Sequence, residues 1–209
     1  MSDENIYSNH TYSYMHLRKA VGWLGIALPF VLVIGAYFLV KEEAFQDSIS
    51  HYYHTSMRDI FVGSVCSIAL FMFFYSGYDK WDNLAGNIAG FAAIGIALFP
   101  TTAVGESDWI GKAHYFFTAI FFITLSVFSL WLFRKGKKIA EQTPEKKKRN
   151  VIYLVCGIIM IACMVGITIY QNFFYQENKT RFTFIAETIA LIAFGFSWLV
   201  KGEAILADE

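Results

Sequence analysis

FTFIAETIALIAFGFSWLV, residues 182–200, is a run of nineteen residues with one charged side chain, Glu187. At 1.5 Å per residue a helix of that length is about 28 Å long, close to the roughly 30 Å of bilayer hydrocarbon. In hydrocarbon a helix satisfies its own backbone polar groups, so a run of this kind reads as a membrane span. Five more runs have a similar character: Val21–Val40, Ile60–Tyr78, Leu84–Thr101, Ala113–Phe133 and Val151–Tyr170. The expected fold is therefore an all-α, polytopic bundle with six transmembrane helices, a single membrane domain over residues 1–209.

Composition agrees. Hydrophobic residues make up 56% of the chain and charged residues 16%, against about 25% charged in ordinary soluble domains. Net charge is zero and no basic stripe is interleaved with aromatics, so nucleic acid is not an expected partner. The first sixteen residues are polar and aromatic without a signal-peptide core, so the first apolar run is expected to be its own insertion signal. With the amino terminus inside, the inner segments hold Arg18, Lys19, Lys80, Arg134, Lys135, Lys137, Lys138, Lys146, Lys147, Lys148, Arg149 and Lys201. The outer ones hold Lys41, Arg58, Lys112, Lys179 and Arg181. The positive-inside rule then places both termini in the cytoplasm, and the lack of a long tail or targeting extension points to a bacterial inner membrane.

Packing signals lie within the runs. Ala85, Ala89, Ala93 and Ala97 recur at intervals of four, and Ala186, Ala190, Ala193 and Ser197 repeat the device. Small faces let helix backbones approach closely, which predicts a central third helix. Pro29 is expected to kink the first helix. Asn87 is the main polar group expected in the inner half. Phe71, Phe73, Phe74, Tyr75, Tyr78 and Trp81 read as interfacial belt and packing. Cys66, Cys156 and Cys163 lie in apolar runs, as small hydrophobes do. Asn178, Lys179 and Thr180 form a glycosylation pattern that has meaning only in a secretory-pathway cell.

The chemistry concentrates in SISHYYHTSMRD, residues 48–59, which holds two of the five histidines between the first two runs. Ionisable groups cost free energy if they stray into hydrocarbon, so such a cluster at a helix mouth is a candidate site. If the stretch is α-helical, Ser50 and His54 share a face, His51 lies about 60° away, and Arg58 continues the row. On the same outer side the sequence places Pro100, Thr101, Thr102, Glu106, Asp108, Trp109 and His114, with Glu187 about 9 Å below Arg181. His54, His114, Asp59 and Glu187 together offer nitrogen and oxygen donors suited to zinc or a similar divalent ion, with Ser50, Asp59 and Glu187 as the catalytic groups. Arg58 and Tyr53 would receive an anionic substrate group. The plainer alternatives are a polar interfacial collar, with Glu187 paired to Arg58 or Arg181.

Ser50-x-x-x-His54 followed by Asp59 resembles the Ser-x-x-x-His and nearby Asp of the CREST superfamily of membrane hydrolases, which includes alkaline ceramidases and adiponectin receptors. The resemblance implies seven helices, a zinc held by three histidines, and action on lipid amides, with His54 a ligand and Ser50 and Asp59 beside the catalytic water. The match covers about ten residues. The last run here carries Glu187 in place of a His-x-x-x-His pair, and six runs stand where that family has seven. The whole also resembles small bacterial six-helix membrane families of unknown function, which adds no chemistry.

The leading expectation is a metal-dependent hydrolase or transferase acting on a membrane lipid or other amphipathic substrate. A proton- or cation-coupled transporter would use Glu187 and the histidines, although the inner half offers no matching polar chain. A haem held by His54 and His114 is a third reading. A non-enzymatic subunit that binds a protein partner, or a second copy of the chain, through Tyr52, Tyr53, Trp109 and Arg58 is the fourth.

Overall fold

The computed structural model describes residues 3–102, 108–136, 142–174 and 180–206, with side chains from Met15 onward. Glu106, Lys137, Lys138, Asn178 and Lys179 lie outside the described residues. Among the described residues six α-helices follow one another: α1 (Asp3–Ile34), α2 (Arg58–Phe73), α3 (Lys80–Leu98), α4 (Trp109–Leu130), α5 (Pro144–Phe173) and α6 (Phe182–Lys201). A π-helical turn, Gly35–Val40, extends α1, and 3-10 turns occupy Ser50–His54 and Leu132–Arg134. Among the described residues there is no strand, so the all-helical expectation holds.

The six spans do not all hold. Among the described residues four helices are long and apolar enough to cross a membrane: Met15–Val40, Trp109–Arg134, Pro144–Phe173 and Phe182–Lys201. The run at 60–78 fails because α2 stops at Phe73 and is capped by Phe74, leaving 16 residues, or about 24 Å. The run at 84–101 fails because α3 carries Lys80, Asp82, Asn83 and Asn87 among many small residues, and ends at Leu98 before Pro100. Proline disfavours helical geometry in the residue before it, and Phe99 is accordingly extended. At Pro29 the chain remains helical through Ile34. Asn87 faces outward rather than into the bundle.

Local signals explain the helix starts. Asp79 and Asp82 form a reciprocal capping box on α3, Asp108 accepts from Gly111 N at 2.7 Å on α4, and Thr143 caps α5 just before Pro144. Each helix packs on the next in sequence, and α6 returns to α1.

The small-residue faces are buried as their spacing implies. Ala85, Ala89, Ala93 and Ala97 are all buried, and α3 packs between α2 and α4 as one member of the ring, not at the centre expected from its alanine spacing. On α6, Ala186, Ala190, Ala193 and Ser197 are buried too. There the contact is backbone to backbone, since a Cβ built on Gly22 would sit 2.8 Å from the carbonyl oxygen of Gly195. The core centres on Trp198, whose ring meets Tyr75 at 5.2 Å, Phe133 at 5.3 Å and Phe128 at 5.7 Å. Tyr75 is thus a core residue, whereas Phe74, Tyr78 and Trp81 are exposed. Val151, Val155, Ile158, Val165 and Ile169 leave one side of α5 apolar and exposed, as a lipid-facing surface would be.

The bundle has two chemically distinct ends. One gathers Arg18, Lys19, the α2–α3 turn, the α4–α5 connection and the end of α6. Salt bridges from Lys135 Nζ to Asp79 (2.9 Å) and Asp82 (3.0 Å) clamp it. The other holds the segment 41–57, the end of α3 and the starts of α4 and α6.

Candidate functional site

The segment from Lys41 to Met57 is fastened to the bundle from below. Lys41, at φ 56°, ends the π-helical turn and redirects the chain. Tyr52 is fully buried, its hydroxyl donates to the Ala44 carbonyl, and its ring lies 6.4 Å from that of Phe184. The Phe184 N–H, otherwise unpaired in the first turn of α6, donates to Asp47 O at 3.1 Å.

Glu187 completes the attachment. Its Oε2 accepts from the Ile49 N–H at 2.6 Å, and the Ser50 N–H faces the same carboxylate. The buried acid therefore caps the 3-10 turn from a distant helix. The two cationic partners suggested by sequence are engaged elsewhere. Arg58 donates to the Tyr53 hydroxyl at 2.7 Å and stacks over that ring, and Arg181 pairs with Glu43 at 3.9 Å and lies over Phe45.

The turn being 3-10 changes which side chains share a face. At three residues per turn, Ser48, His51 and His54 line up, whereas an α-helix would align Ser50 with His54. Ser48 Oγ lies 2.6 Å from His51 Nδ1 and also accepts from the His51 N–H at 3.2 Å. Hydroxyl and imidazole thus share one hydrogen bond, in which the His51 tautomer decides the donor. Ser50 instead lines a narrow cavity of about 40 Å³ with Glu187, Leu28, Phe61 and Phe121. That is room for a water or two, not for an acyl chain.

His54 and His114 are each held by a backbone carbonyl at the end of α3. His54 Nε2 is 2.7 Å from Thr101 O, and His114 Nδ1 is 2.7 Å from Phe99 O. A carbonyl only accepts, so the facing nitrogen carries the proton and the other keeps its lone pair. For His114, 1% exposed, that other nitrogen is Nε2, and no described group bonds it. His51 and His54 lie within electrostatic reach of this ring, and their own rings are 6.5 Å apart.

Burial holds the His51 pKa below its ordinary 6.5, with the Asp47 carboxylate pulling the other way and His54 adding to the depression. Burial pushes the Tyr52 hydroxyl up to about 12, so it stays a hydrogen-bond donor at any physiological pH.

The structure thus separates the groups grouped by sequence. His54 and His114 come together, joined by His51, which the sequence reading left outside its ligand set although it sits three residues from His54. Tyr53 and Arg58 form an exposed pair. Asp59 is exposed in the first turn of α2 and pairs with none of the described residues. Glu187 and Ser50 belong to the neighbouring cavity. Among the described residues, no three His, Cys, Asp or Glu side chains are gathered closely enough to hold one metal ion. Comparison with protein families, with curated proteins and with solved structures returns no match.

Proposed function

We propose that this integral membrane protein uses the histidine end of its bundle as a hydrolase or transferase centre for a lipid or other amphipathic substrate, assisted by a divalent metal such as zinc. The observation that carries the reading is the buried, unpartnered Nε2 of His114. An imidazole whose other nitrogen is fixed by a carbonyl has the outer-shell arrangement of a metal ligand, and a buried acceptor left unpaired costs about 1–3 kcal/mol. His54, with its Nε2 likewise tied to a carbonyl, presents Nδ1. These two nitrogens would hold the ion.

A catalytic zinc site has three protein ligands; the two histidines would supply two, and Asp59, exposed in the first turn of α2 and not gathered with them, would have to swing toward them to supply the third. A bound ion of this type lowers the pKa of its water towards about 7. Ser48 and His51, 2.6 Å apart, would move the proton. Arg58, held over the Tyr53 ring, would receive an anionic group of the substrate. Because the cavity beside Glu187 is so small, the acyl part of a substrate would lie along the lipid-facing surface. In this reading Glu187 positions the histidine turn and does not bind metal. By the positive-inside rule the basic end would face the cytoplasm, with both termini inside and the histidine end at the outer leaflet; a bacterial inner membrane is the proposed home.

The test is elemental analysis of the detergent-purified protein alongside His54→Ala and His114→Ala. Near-stoichiometric zinc, iron or manganese in the parent, lost in both variants, is the expected result. Metal-free parent protein that still hydrolyses lipid esters or amides would overturn the metal's role. Equal lipid hydrolysis by parent and variants would remove the site altogether.

A further inference from the structure

The opposite end of the bundle carries a cavity that the proposed reaction does not use. It measures about 390 Å³, within the range of small-molecule sites. Among the described residues, Lys135, Lys146, Arg149 and Lys201 line it with Tyr78 and Tyr153, against one carboxylate, Glu203. A neighbouring cleft of about 510 Å³ shares Lys135, Gly136 and Gln142 and adds Arg134 and Lys147.

Lys201 is the informative residue. It ends α6 at 8% exposure, and among the described residues it makes no ion pair. Its ammonium is 3.4 Å from the Tyr78 hydroxyl and lies over the rings of Tyr78 (4.6 Å) and Phe133 (5.5 Å). Ring faces and a neutral hydroxyl stabilise a cation only in part, and buried ammonium groups ordinarily face an anion. Asp82, a carboxylate within electrostatic reach, is bound to Lys135 at 3.0 Å.

The walls are built for the purpose of holding shape. Lys146 Nζ donates to Phe133 O at 2.9 Å, and Arg149 donates to Leu206 O at 2.6 Å. That second bond holds the C-terminal turn, where Glu203 and Leu206 take left-handed backbone angles, φ 56° and 58°. Residues other than glycine seldom adopt such angles, and they persist where surrounding contacts over-determine them.

We infer that this cavity is a binding site for a phosphate group, carried either by an anionic phospholipid or by a soluble phosphate compound. Its position at the end of α6 and beside the α4–α5 connection suits a headgroup at the membrane boundary, where basic pockets between helices take such groups. Lys201 supplies the buried charge, and the Tyr78 and Tyr153 rings form the wall.

Native mass spectrometry of the full chain in detergent tests this, with phosphatidic acid and phosphatidylglycerol measured against phosphatidylcholine of the same acyl chains, and inorganic phosphate added separately. Lys201→Met and Arg149→Gln are the variants. Replacing a buried charge by a hydrophobe of similar volume is commonly neutral or stabilising, so Lys201→Met is expected to fold. The anionic lipids are expected to bind about tenfold or more tightly than phosphatidylcholine, and Lys201→Met to lose about that factor, as removal of a charge-assisted hydrogen bond implies. Binding of inorganic phosphate that Lys201→Met abolishes, without preference among the lipids, supports the site and assigns it to a soluble compound. Equal binding of all lipids with no phosphate binding, or anionic binding unchanged in both variants, overturns the inference.

Discussion

Replacing Glu187 separates a carboxylate that positions a turn from one that takes part in chemistry. In Glu187→Gln an amide oxygen remains where Oε2 accepts from the Ile49 N–H at 2.6 Å, so the turn keeps its anchor and loses only the excess strength of a charged acceptor, about 1 kcal/mol. In Glu187→Ala the Ile49 N–H is buried without a partner, which costs about 1–3 kcal/mol. The lost side-chain methylene adds about 1 kcal/mol, and the new space joins an existing cavity, so no neighbour refills it. The alanine variant is therefore expected to lose about 2–4 kcal/mol, a fall in Tm of roughly 4–16 °C for a chain of this size. The assay is thermal unfolding in detergent, paired with limited proteolysis of the segment 41–57, which should become labile in Glu187→Ala and stay protected in Glu187→Gln. Equal destabilisation of the two variants would refute the anchoring role, because it would mean the charge itself is required. Retained stability in Glu187→Gln with complete loss of metal would refute the placement of Glu187 outside the metal set.

Gly22→Ala should destabilise the bundle by about 1–3 kcal/mol by forcing α1 from α6, whereas Gly63→Ala, with open space around its Cβ, should be neutral or slightly stabilising; parallel thermal melts check the contrast. Lys135→Met strips the buried Asp82 of its cation and should cost about 3–5 kcal/mol, with Lys135→Met/Asp82→Asn recovering much of it in a double-mutant cycle. His51 is held below its ordinary 6.5 chiefly by burial, so the unfolded chain takes up its proton first as pH falls. Stability should therefore be full above about pH 6.5 and decline as pH drops below it, and His51→Gln should flatten that slope in melts recorded from pH 7.5 to 5.

Much of the architecture was legible in the chain because it depends on local rules. Apolar runs of membrane length and the alanine spacing on α3 and α6 each act within a few turns of one helix, and the structure buries those alanine faces. Span number was less legible. The run at 60–78 counts Phe74 and Tyr75 as helix, but the chain turns there to lay Gly86 against the Met72 carbonyl, a contact between helices that hydropathy does not register.

The site divides in the same way. The sequence by itself determined that serine, histidine, Arg58 and Asp59 would crowd one short segment, and that Glu187 would lie inside the neighbouring helix end. Only the tertiary structure decided their partners. The chain at Ser50–His54 winds as a 3-10 turn because Glu187 and Phe184 on α6 and the carbonyls of Ala44 and Asp47 fix its approach, and that tighter pitch, entered from Ser48, puts Ser48 beside His51 and sends Ser50 to the cavity. The carbonyls at Phe99 and Thr101, freed where Pro100 ends α3, fix the protons of His114 and His54. Those bonds join residues 15, 47 and 138 positions apart, and separations of that size carry no local signal for a sequence pattern to report.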